Sequence, residues 1–498
     1  MTSTPADLMA AFWAYERALM ANDVAELDRL FADAPDTLRG DAAGLLVGHA
    51  QISAFRGTRG GAPERTIGDV HVRTIDADHA LIVAVTEPAS GGRGQQTQLW
   101  TRDALRGWQV VAAHVSAPSA AIDERIWRVV GSPLVAGSQH GPLSGETIAV
   151  KDLYDIAGQP VGAGNPAFLA GAEPATSTAA VLRELLDGGA DIRGIARTDE
   201  FAYSLAGVNE HSGMPPNARA PRRVPGGSSN GSATAVGLGH ASIGLGTDTA
   251  GSIRIPASYQ GLYGIRTTHG LLSRDGLLPL APSFDTVGWI TRHPDLLARV
   301  GDVLLPDQPG TLGSVVVTVP GLLRLADADV AAAVIASLPE TRMTDTWDLD
   351  ELDRWVVAFR TVQGHEAWET HGAWLAGRLD TVGDGVRRRF EAASRVTDKD
   401  AAAARDVLTE AAERIRSFVG DRVLALPAAS SVAPYPADVE ATRDATIRLT
   451  CLASIAGLPA VAIPLRTADG LPTAVSLVAA PGRDRDLLAL ARTWTGGS

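Results

Sequence analysis

The chain has 498 residues, of which 45% are hydrophobic and 20% are charged, and its formal net charge is −13 at pH 7. This length exceeds what one core usually organises, so we expect at least two structural units; the composition excludes a disordered or fibrous protein. The negative charge disfavours nucleic acid or an anionic membrane as a partner and leaves small molecules.

The first 120 residues or so predict a compact α+β unit. An amphipathic helix begins at about Pro5, and a second helix lies around Val24 to Phe31. Four segments with partly alternating polar and apolar residues then predict strands. Their sequences are HVRTI, HALIVAVTE, QTQLWTR and GWQVVAAHVS. The apolar positions of the first helix are Leu8, Phe12, Tyr15 and Leu19. Helices followed by a curved antiparallel sheet predict a small α+β cone.

A run of small residues from Ser116 to Ile122 predicts a domain boundary. We therefore expect a first domain at 1–118, a linker at 119–131 and a second domain at 132–498. In the second domain, helix and strand patterns alternate, as in TAAVLRELLDGGADIRGIA and SATAVGLGHASIGLGTD. Such alternation predicts an α/β fold with a mainly parallel or mixed sheet that is covered by helices on both faces.

The first chemical signal is Lys151 in the segment IAVKDLYDIAG, where it follows the apolar run Ile148 to Val150. A lysine in this setting is desolvated, which lowers its pKa and leaves a neutral amine that can accept a proton. A surface lysine whose stem covers apolar neighbours is the alternative for the residue taken alone.

The strongest signal runs from Gly226 to Pro256, where two glycine turns, GGSSNGS and GTDTAGS, each carry serines. Glycine permits backbone angles and close approaches that a side chain would block, so it can bring a serine close to a substrate carbonyl. A single glycine-serine turn is more often a loop or linker, and only the three motifs in order favour a catalytic site. Asp248 and Arg254 lie next to the serine of the second turn, and we expect them to form a structural ion pair or to brace the backbone.

Weaker signals follow along the chain. HEAWETH resembles a zinc motif, but His365 and His371 are six residues apart and would point about 240° apart on a helix at roughly 100° per residue, so we expect no metal site. His211 either lines the cleft or is a structural histidine. An aromatic group after Thr344 is either core or pocket wall. Its members are Trp347, Trp355, Phe359, Trp368 and Trp374.

Cys451, the one cysteine of the sequence, lies in the apolar helical pattern RLTCLASIAGL and is expected to be a core residue. It excludes an internal disulfide, which suits a reducing compartment. The segment MTSTPADLMAAF lacks the pattern of a signal peptide, and no run of about 18 apolar residues predicts a membrane span. We expect a soluble, cytoplasmic protein.

The segments AVKDLYDIAG, GGSSNGS and GTDTAGSIRIPAS closely resemble the motifs of the amidase signature family of serine amidohydrolases, nearest to the indoleacetamide hydrolase type. The resemblance extends from roughly Ser132 to Ser498 and implies that this part of the chain is one large α/β/α domain with a mixed sheet. It implies a Ser, cis-Ser, Lys triad in which Ser252 is the acylated nucleophile, Ser228 the bridging serine and Lys151 the base.

The same resemblance implies a cis peptide bond between Gly227 and Ser228. Backbone N–H groups on the nucleophile loop are the expected oxyanion donors. These candidates are Thr249, Ala250, Gly251 and Ser252. The sequence departs from the family pattern at Asn230, where Gly or Ser is usual, and at Ala250, where Gly is usual. No cofactor and no metal are expected.

The first unit resembles the NTF2-like cone, that is, the SnoaL-like or ketosteroid-isomerase-like fold. More specifically, it resembles the small domain associated with amidases of ureide and cyanuric-acid breakdown. A scaffold or dimerisation role is one interpretation, and a second ligand pocket or a decarboxylating or hydrolytic site is the other, since fold alone does not decide function. A cone with an exposed sheet face favours a homodimer.

These observations predict an amidohydrolase that cleaves a carboxamide or ureide C–N bond through an acyl-enzyme and releases ammonia or a small amine. One alternative is an amidotransferase-like subunit that delivers ammonia to a partner chain. Another is a catalytically inert scaffold or binding protein with an amidase fold. The sequence leaves the acyl group of the substrate open.

Overall fold

A computed structural model of the chain describes residues 4–41, 44–58, 61–62, 64–88, 94–116, 122–307 and 315–494. The chain divides into two compact units, Met1–Ile122 and Asp123–Ser498.

The first unit combines helices with one sheet. Its helices are α1 (Ala6–Ala21), α2 (Val24–Leu30) and α3 (His49–Thr58). Its strands are β1 (Leu38–Asp41), β2 (Gly44–Val47), β3 (Arg65–Thr74), β4 (His79–Pro88), β5 (Gly94–Asp103) and β6 (Gly107–Ser116). In the described part of this unit the sheet order is β2-β1-β6-β5-β4-β3, and the β1–β6 pair is parallel while the other pairs are antiparallel.

The core of the first unit lies between α1, α2 and one face of this sheet. Leu8, Phe12 and Tyr15 are buried, as the apolar spacing of α1 predicts, whereas Leu19 is half-buried at the edge of the core. Trp100 on β5 is fully buried and Tyr15 packs edge-on against it. The pattern did not predict β1, β2 or α3, because the two strands are four residues long and lack a clear alternation.

The second unit contains most of the chain. Its strands are β7 (Trp127–Val135), β8 (Thr147–Lys151), β9 (Asp191–Ala196), β10 (Ile243–Asp248), β11 (Tyr263–Arg266), β12 (Thr286–Thr291), β13 (Val316–Thr318), β14 (Met343–Thr344), β15 (Val423–Pro427), β16 (Ala460–Arg466) and β17 (Pro472–Val478). Its helices are α4 (Pro166–Ala170), α5 (Ala180–Asp187), α6 (Asn230–Gly237), α7 (Arg254–Gln260), α8 (Pro294–Leu304), α9 (Pro320–Leu323), α10 (Ala328–Ser337), α11 (Leu352–Leu375), α12 (Asp384–Ala393), α13 (Asp398–Val419), α14 (Val439–Ala456) and α15 (Asp484–Thr493).

The predicted mixed sheet is confirmed. Its order is β14-β13-β15-β17-β16-β11-β12-β10-β8-β9-β7, with parallel pairs at β8–β9, β8–β10, β13–β14 and β13–β15. Alternate residues of β15 enter different apolar clusters: Leu424 and Leu426 lie in one, and Val423 and Ala425 in the other. Since successive side chains of a strand point to opposite faces, both faces of the sheet are covered.

The segment predicted as a linker, 119–131, behaves differently along its length. Residues 119–121 lie outside the described residues, whereas β7 begins at Trp127 and pairs antiparallel with β9, with Trp127 opposite Ala196. Trp127 is 4% exposed, so its side chain joins the core of the second unit. The small-residue run therefore ends before the edge strand β7, and the first part of this strand lies in the segment that was predicted as a linker.

The order of β9, β8 and β10 creates the place where chemistry is expected. After β8 the chain moves towards β9, whereas after β10 it moves through α7 towards β11, on the other side. The segments that leave the carboxyl ends of β8 and β10 therefore diverge. Open α/β sheets bind ligands in the crevice that such a reversal leaves. No helix in the described ranges is long and apolar enough to cross a membrane.

Candidate active site

Lys151 is the last residue of β8 and is fully buried. Ile148 and Val150 point into one large apolar cluster, so the alternation of the strand turns Ala149 and Lys151 to the opposite face. The amine therefore lies on the side of the sheet where α6 packs.

The Lys151 amine contacts two hydroxyl groups. Its Nζ lies 2.8 Å from Ser228 Oγ and 2.8 Å from Thr247 Oγ1. Burial lowers the pKa of Lys151 to about 7, although the carboxylates of Asp199, Asp285 and Asp248 act in the opposite direction. A pKa near neutrality leaves a substantial fraction of the amine unprotonated and able to accept a proton at physiological pH.

Ser228 lies two residues before α6 and is fully buried. The Gly227–Ser228 peptide bond is cis, as the resemblance implies. The carbonyl oxygen of Ser228 accepts a hydrogen bond from Thr198 Oγ1 at 2.9 Å and from the Asp199 N–H at 3.3 Å. The segment after β9 therefore holds the Ser228 peptide while its hydroxyl faces Lys151.

Two glycines of β10 allow this approach. A Cβ on Gly246 would collide with the Ser229 hydroxyl, and a Cβ on Gly244 would lie 2.8 Å from the Ser232 carbonyl oxygen. The alternating glycines of GLGTD thus remove the side chains that would separate α6 from the strand. This close packing places Ser228 beside Lys151, because β8 is the parallel neighbour of β10.

Ser252 lies on the loop between β10 and α7, at the same edge of the sheet as Lys151, and is 2% exposed. Its hydroxyl forms no hydrogen bond with any residue that the structure describes. The structure therefore joins Lys151 to Ser228 by direct contact and places Ser252 at the same edge without an internal partner.

The preceding Gly251 has φ +120°, and a Cβ there would lie 2.8 Å from Ile255 Cδ1 and 3.0 Å from Thr450 Cγ2. Both the backbone angle and the surroundings require glycine at this position.

Asp248 braces this loop through a buried ion-pair cluster. Its carboxylate accepts from Arg254 Nη2 at 2.8 Å and from Arg266 Nη1 at 3.1 Å, which confirms the expected pair with Arg254. Burial works to raise the pKa of Asp248, but the two guanidinium groups outweigh it and hold that pKa below its usual range. All three side chains are at most 1% exposed.

The same carboxylate removes one expected oxyanion donor. The Gly251 N–H donates to Asp248 Oδ1 at 2.9 Å, so it is already occupied, and the Ile253 and Arg254 N–H groups also point to Asp248. The N–H groups of Thr249, Ala250 and Ser252 have no acceptor within the described ranges. The Ala250 carbonyl oxygen accepts from Thr450 Oγ1 at 2.7 Å.

Several residues of the site were not predicted from the motifs. Thr249 Oγ1 donates to Asp285 at 2.6 Å, and the Asp285 carboxylate also accepts the N–H groups of Leu280 and Ala281. Thr247 was missed although it belongs to the GTDTAGS turn. Arg266, Asp285 and Thr450 are distant in sequence from the three motifs and were not among the predicted site residues.

The two histidines of α11 lie in separate environments. His365 Nε2 is 2.8 Å from Asp398, and His371 Nε2 is 2.9 Å from the Pro279 carbonyl oxygen. Burial lowers the pKa of His371 to about 4. In the part of the chain that the structure describes, no group of three or more metal-ligating side chains is close enough to hold a metal ion.

The other residues singled out in the sequence have structural contacts. His211 Nε2 lies 2.8 Å from the buried carboxylate of Glu200. Trp355 and Phe359 are buried in the core, and Cys451 is buried on α14, where burial raises its pKa to about 12. The remaining aromatic residues are half-buried and pack against that core. They are Trp347, Trp368 and Trp374.

Comparisons with known proteins cover both units. Residues 120–348 match the family described as Amidase, and residues 2–120 match the family described as AtzH-like. Amidase 1 of Arabidopsis thaliana is 36% identical over 407 residues, which span 73% of this chain and 96% of that protein.

Two further relatives extend the comparison. One chain of the glutamyl-tRNA(Gln) amidotransferase of Halobacterium salinarum is 30% identical over 399 residues, which span 69% of this chain and 93% of that protein. A solved structure described as a vestigial protein complex that reveals the origins of an s-triazine catabolic enzyme is 29% identical, with a TM-score of 0.66, over 71% of this chain and 84% of that chain.

Proposed function

The chain belongs to the amidase signature family of amide C–N hydrolases and carries an AtzH-like N-terminal domain, and on this premise we propose that it cleaves a carboxamide or ureide through an acyl-enzyme on Ser252. Ser228 relays the proton and Lys151 is the base. The observation that carries the proposal is the fully buried Lys151 amine 2.8 Å from Ser228 Oγ.

A serine hydroxyl becomes an effective nucleophile only when a base takes its proton as it attacks. The lowered pKa of Lys151, about 7, supplies a neutral amine for this purpose. The hydrogen-bond partners of the amine, at 2.8 Å, are two hydroxyl groups. Because hydroxyl groups carry no negative charge, they do not hold the amine in its protonated form.

Protons balance over the two halves of the reaction. Ser252 Oγ forms a bond to the substrate carbonyl carbon and gives its proton to Ser228, while Ser228 gives its own proton to Lys151. When the C–N bond breaks, the ammonium of Lys151 returns a proton through Ser228 to the departing nitrogen. Water then attacks the acyl-enzyme by the same relay and restores the Ser252 hydroxyl.

The oxyanion of each tetrahedral intermediate needs fixed donors, and the unoccupied N–H groups of Thr249, Ala250 and Ser252 serve this purpose in our proposal. The occupied Gly251 N–H takes no part. One such donor is worth about 3–4 kcal/mol of transition-state stabilisation in comparable enzymes.

The substrate class is proposed from the relatives. The relative from Arabidopsis thaliana is named an amidase, and the solved structure is described through an s-triazine catabolic enzyme. Together with the AtzH-like first unit, these names favour a small carboxamide or ureide over a large amide.

Labelling with a fluorophosphonate tests the proposal without knowledge of the substrate. We expect one covalent adduct, found by mass spectrometry on Ser252, and no adduct in the Ser252→Ala variant. Ser394, an exposed serine on the end of α12, provides a matched control: Ser394→Ala should label like the wild type. An unlabelled wild-type protein, or an adduct elsewhere, would refute the assignment of the nucleophile and favour an inert scaffold.

The similarity to a chain of an amidotransferase supports a second candidate function, in which glutamine is the substrate and ammonia passes to a partner chain. An ammonia-release screen over primary amides, ureides and glutamine separates the two. Release from glutamine alone would favour the amidotransferase-like function, and release from other amides or ureides favours the amidohydrolase.

We also propose a cytoplasmic homodimer that uses the first unit for assembly. One face of the sheet in the first unit points away from the core. On β4 this face carries the half-buried apolar residues Leu81, Val83 and Val85. A second copy of the chain would cover such a face. Sedimentation equilibrium should give a dimer, and a Val83→Lys variant should give a monomer that still labels on Ser252.

A further inference from the structure

A fully buried carboxylate, Asp199, lies beside the proton relay and has no role in the mechanism above. It follows β9, which pairs in parallel with β8, so its segment leaves the sheet at the same edge as Lys151. Within the described ranges no arginine, lysine or histidine forms an ion pair with it.

Asp199 packs directly against the peptide that carries the bridging serine. A Cβ on Gly227 would collide with Asp199 Oδ2, so the carboxylate occupies the space that the glycine leaves free. The Asp199 backbone N–H donates to the Ser228 carbonyl oxygen at 3.3 Å. Side chain and backbone of one residue thus contact both sides of the Gly227–Ser228 peptide.

The orientation of the carboxylate is set by two donors on different segments. Oδ2 accepts the Gly207 N–H at 3.0 Å, and Oδ1 accepts Asn230 Nδ2 at 3.1 Å. Asn230 is 1% exposed, and its own Oδ1 accepts the N–H of Gly231 at 2.9 Å. The carboxamide of Asn230 is long enough to reach Asp199. Gly or Ser, the residues usual in the family at this position, would not reach it, because glycine has no side chain and that of serine is shorter.

The charges around this group can be named from each element. Lys151 on β8 and Arg389 on α12 favour the ionised form of Asp199, the Ser204 hydroxyl and the Gly207 N–H bind it, and burial nevertheless raises its pKa to about 6. In the other direction, Asp199 has the largest effect of the carboxylates that favour the charged form of Lys151.

The two other carboxylates near Lys151 are engaged differently. Asp248 is neutralised by Arg254 and Arg266. Asp285 binds the Thr249 hydroxyl and two backbone N–H groups, and burial raises its pKa. Of these three carboxylates, Asp199 is therefore the one best placed to stabilise the positive charge that forms when the Lys151 amine takes up a proton.

We propose that Asp199, oriented by Asn230, is a positioning residue of the proton relay, which holds the Ser228 peptide and supplies the negative charge that Lys151 faces whenever it takes up a proton. A buried ammonium without an opposite charge is strongly disfavoured, and the relay forms one twice in each turnover. The inference rests on the proposed function, because it assigns Asp199 through the Lys151–Ser228 pair.

The test is the pH dependence of fluorophosphonate labelling of Ser252 in the wild type, Asp199→Asn and Asn230→Ser. Removing the carboxylate should slow labelling at pH 8 by about tenfold or more. It should also move the acid limb of the profile to lower pH, since Lys151 loses the charge that favours its protonation. Asn230→Ser should shift the limb in the same direction by a smaller amount. Asp469→Asn, which removes an exposed carboxylate from the turn between β16 and β17, should leave the profile unchanged.

If Asp199→Asn slows the labelling of Ser252 but leaves the acid limb of the pH profile in place, the electrostatic role is wrong and Asp199 only packs against the Ser228 peptide. Wild-type rate and limb in both variants would overturn the whole inference. If Asp199→Asn does not fold, the limb of Asn230→Ser decides the question by itself. Failure of the proposed function is distinguishable, because then the wild type would carry no adduct on Ser252.

Discussion

Two ionisable side chains at this edge of the sheet, Asp248 and Lys151, are equally buried and have opposite properties. Asp248 contacts two guanidinium groups, and its pKa is held below its usual range despite burial. Within the described ranges the Lys151 amine forms hydrogen bonds with two hydroxyl groups, and burial lowers its pKa to about 7. The partners therefore decide the outcome: Asp248, paired with two guanidinium groups, braces the loop, whereas Lys151, without an ion pair, has the pKa that our proposed base requires.

The largest effect is expected at Ser252, on the loop that Asp248 braces. Ser252→Ala should lower the rate of amide hydrolysis by about 10⁴-fold or more, because it removes the proposed nucleophile. Ammonia release measures the rate, and thermal unfolding should show an unchanged midpoint. Near wild-type turnover would mean that another nucleophile acts.

Lys151 variants test the unpaired side of the comparison. Lys151→Ala should lower the rate by about 10²- to 10⁴-fold, the range of general base catalysis. Lys151→Arg should not restore it, since arginine stays protonated and cannot accept a proton. The measurement is kcat for each variant, and restored activity in the arginine variant would exclude a neutral amine as the base.

Asp248→Asn tests the paired side. It leaves Arg254 and Arg266 buried without an opposite charge, and we expect a loss of roughly 3–5 kcal/mol in the free energy of unfolding. Urea denaturation measures this loss. Lys151→Ala should not show a comparable loss. Equal destabilisation by both variants would contradict the distinction between a structural role for Asp248 and a functional role for Lys151.

The pH profile sharpens the comparison further. Below pH 7 Lys151 becomes protonated, so kcat/KM should fall about tenfold per pH unit on the acid side. For stability the sign is also defined: between pH 7 and about 10 the unfolded chain holds a proton on this amine that the folded chain lacks, so the contribution of Lys151 to stability rises with pH. A flat rate profile down to about pH 5 would contradict a base with this pKa.

The smallest effect concerns Thr247, the second hydroxyl on the amine. Thr247→Val keeps the shape and removes a hydrogen bond to Lys151, which should reduce kcat by about 3- to 10-fold. Steady-state kinetics gives the ratio of kcat values. A loss as large as that of Lys151→Ala would mean that Thr247, rather than Ser228, carries the proton.

Local pattern predicted much of the fold. The spacing of α1, the strands β3 to β6, and the helix-strand alternation that contains α5, β9, α6 and β10 are confirmed, because each depends on periodicity within one segment. Three strands were not predicted: the first part of the edge strand β7 was assigned to the linker, and β1 and β2, each four residues long, were not recognised. Strands of four residues are too short for a clear alternation, and β7 buries only Trp127 fully, so these strands carry little pattern.

The motifs also named Lys151, Ser228 and Ser252 before any geometry was known, and the structure brings the first two into contact. One detail of the loop was wrong: the Gly251 N–H was expected to be a free oxyanion donor and is bound to Asp248. Which of several adjacent N–H groups is free depends on how the loop turns, and a motif does not specify this.

The amino-acid sequence by itself determined the two-unit organisation, and the resemblance of its motifs to those of a known family indicated the family and the residues expected to carry amide hydrolysis, since motifs are short segments that need no tertiary information. Only the tertiary structure decided which distant groups surround them: Arg266 against Asp248, Thr450 against the loop, and Asp199 with Asn230 against the bridging serine. The physical reason is that strand order, rather than local sequence, sets which segments meet at one edge of the sheet, and burial at that edge gives each contact its electrostatic strength.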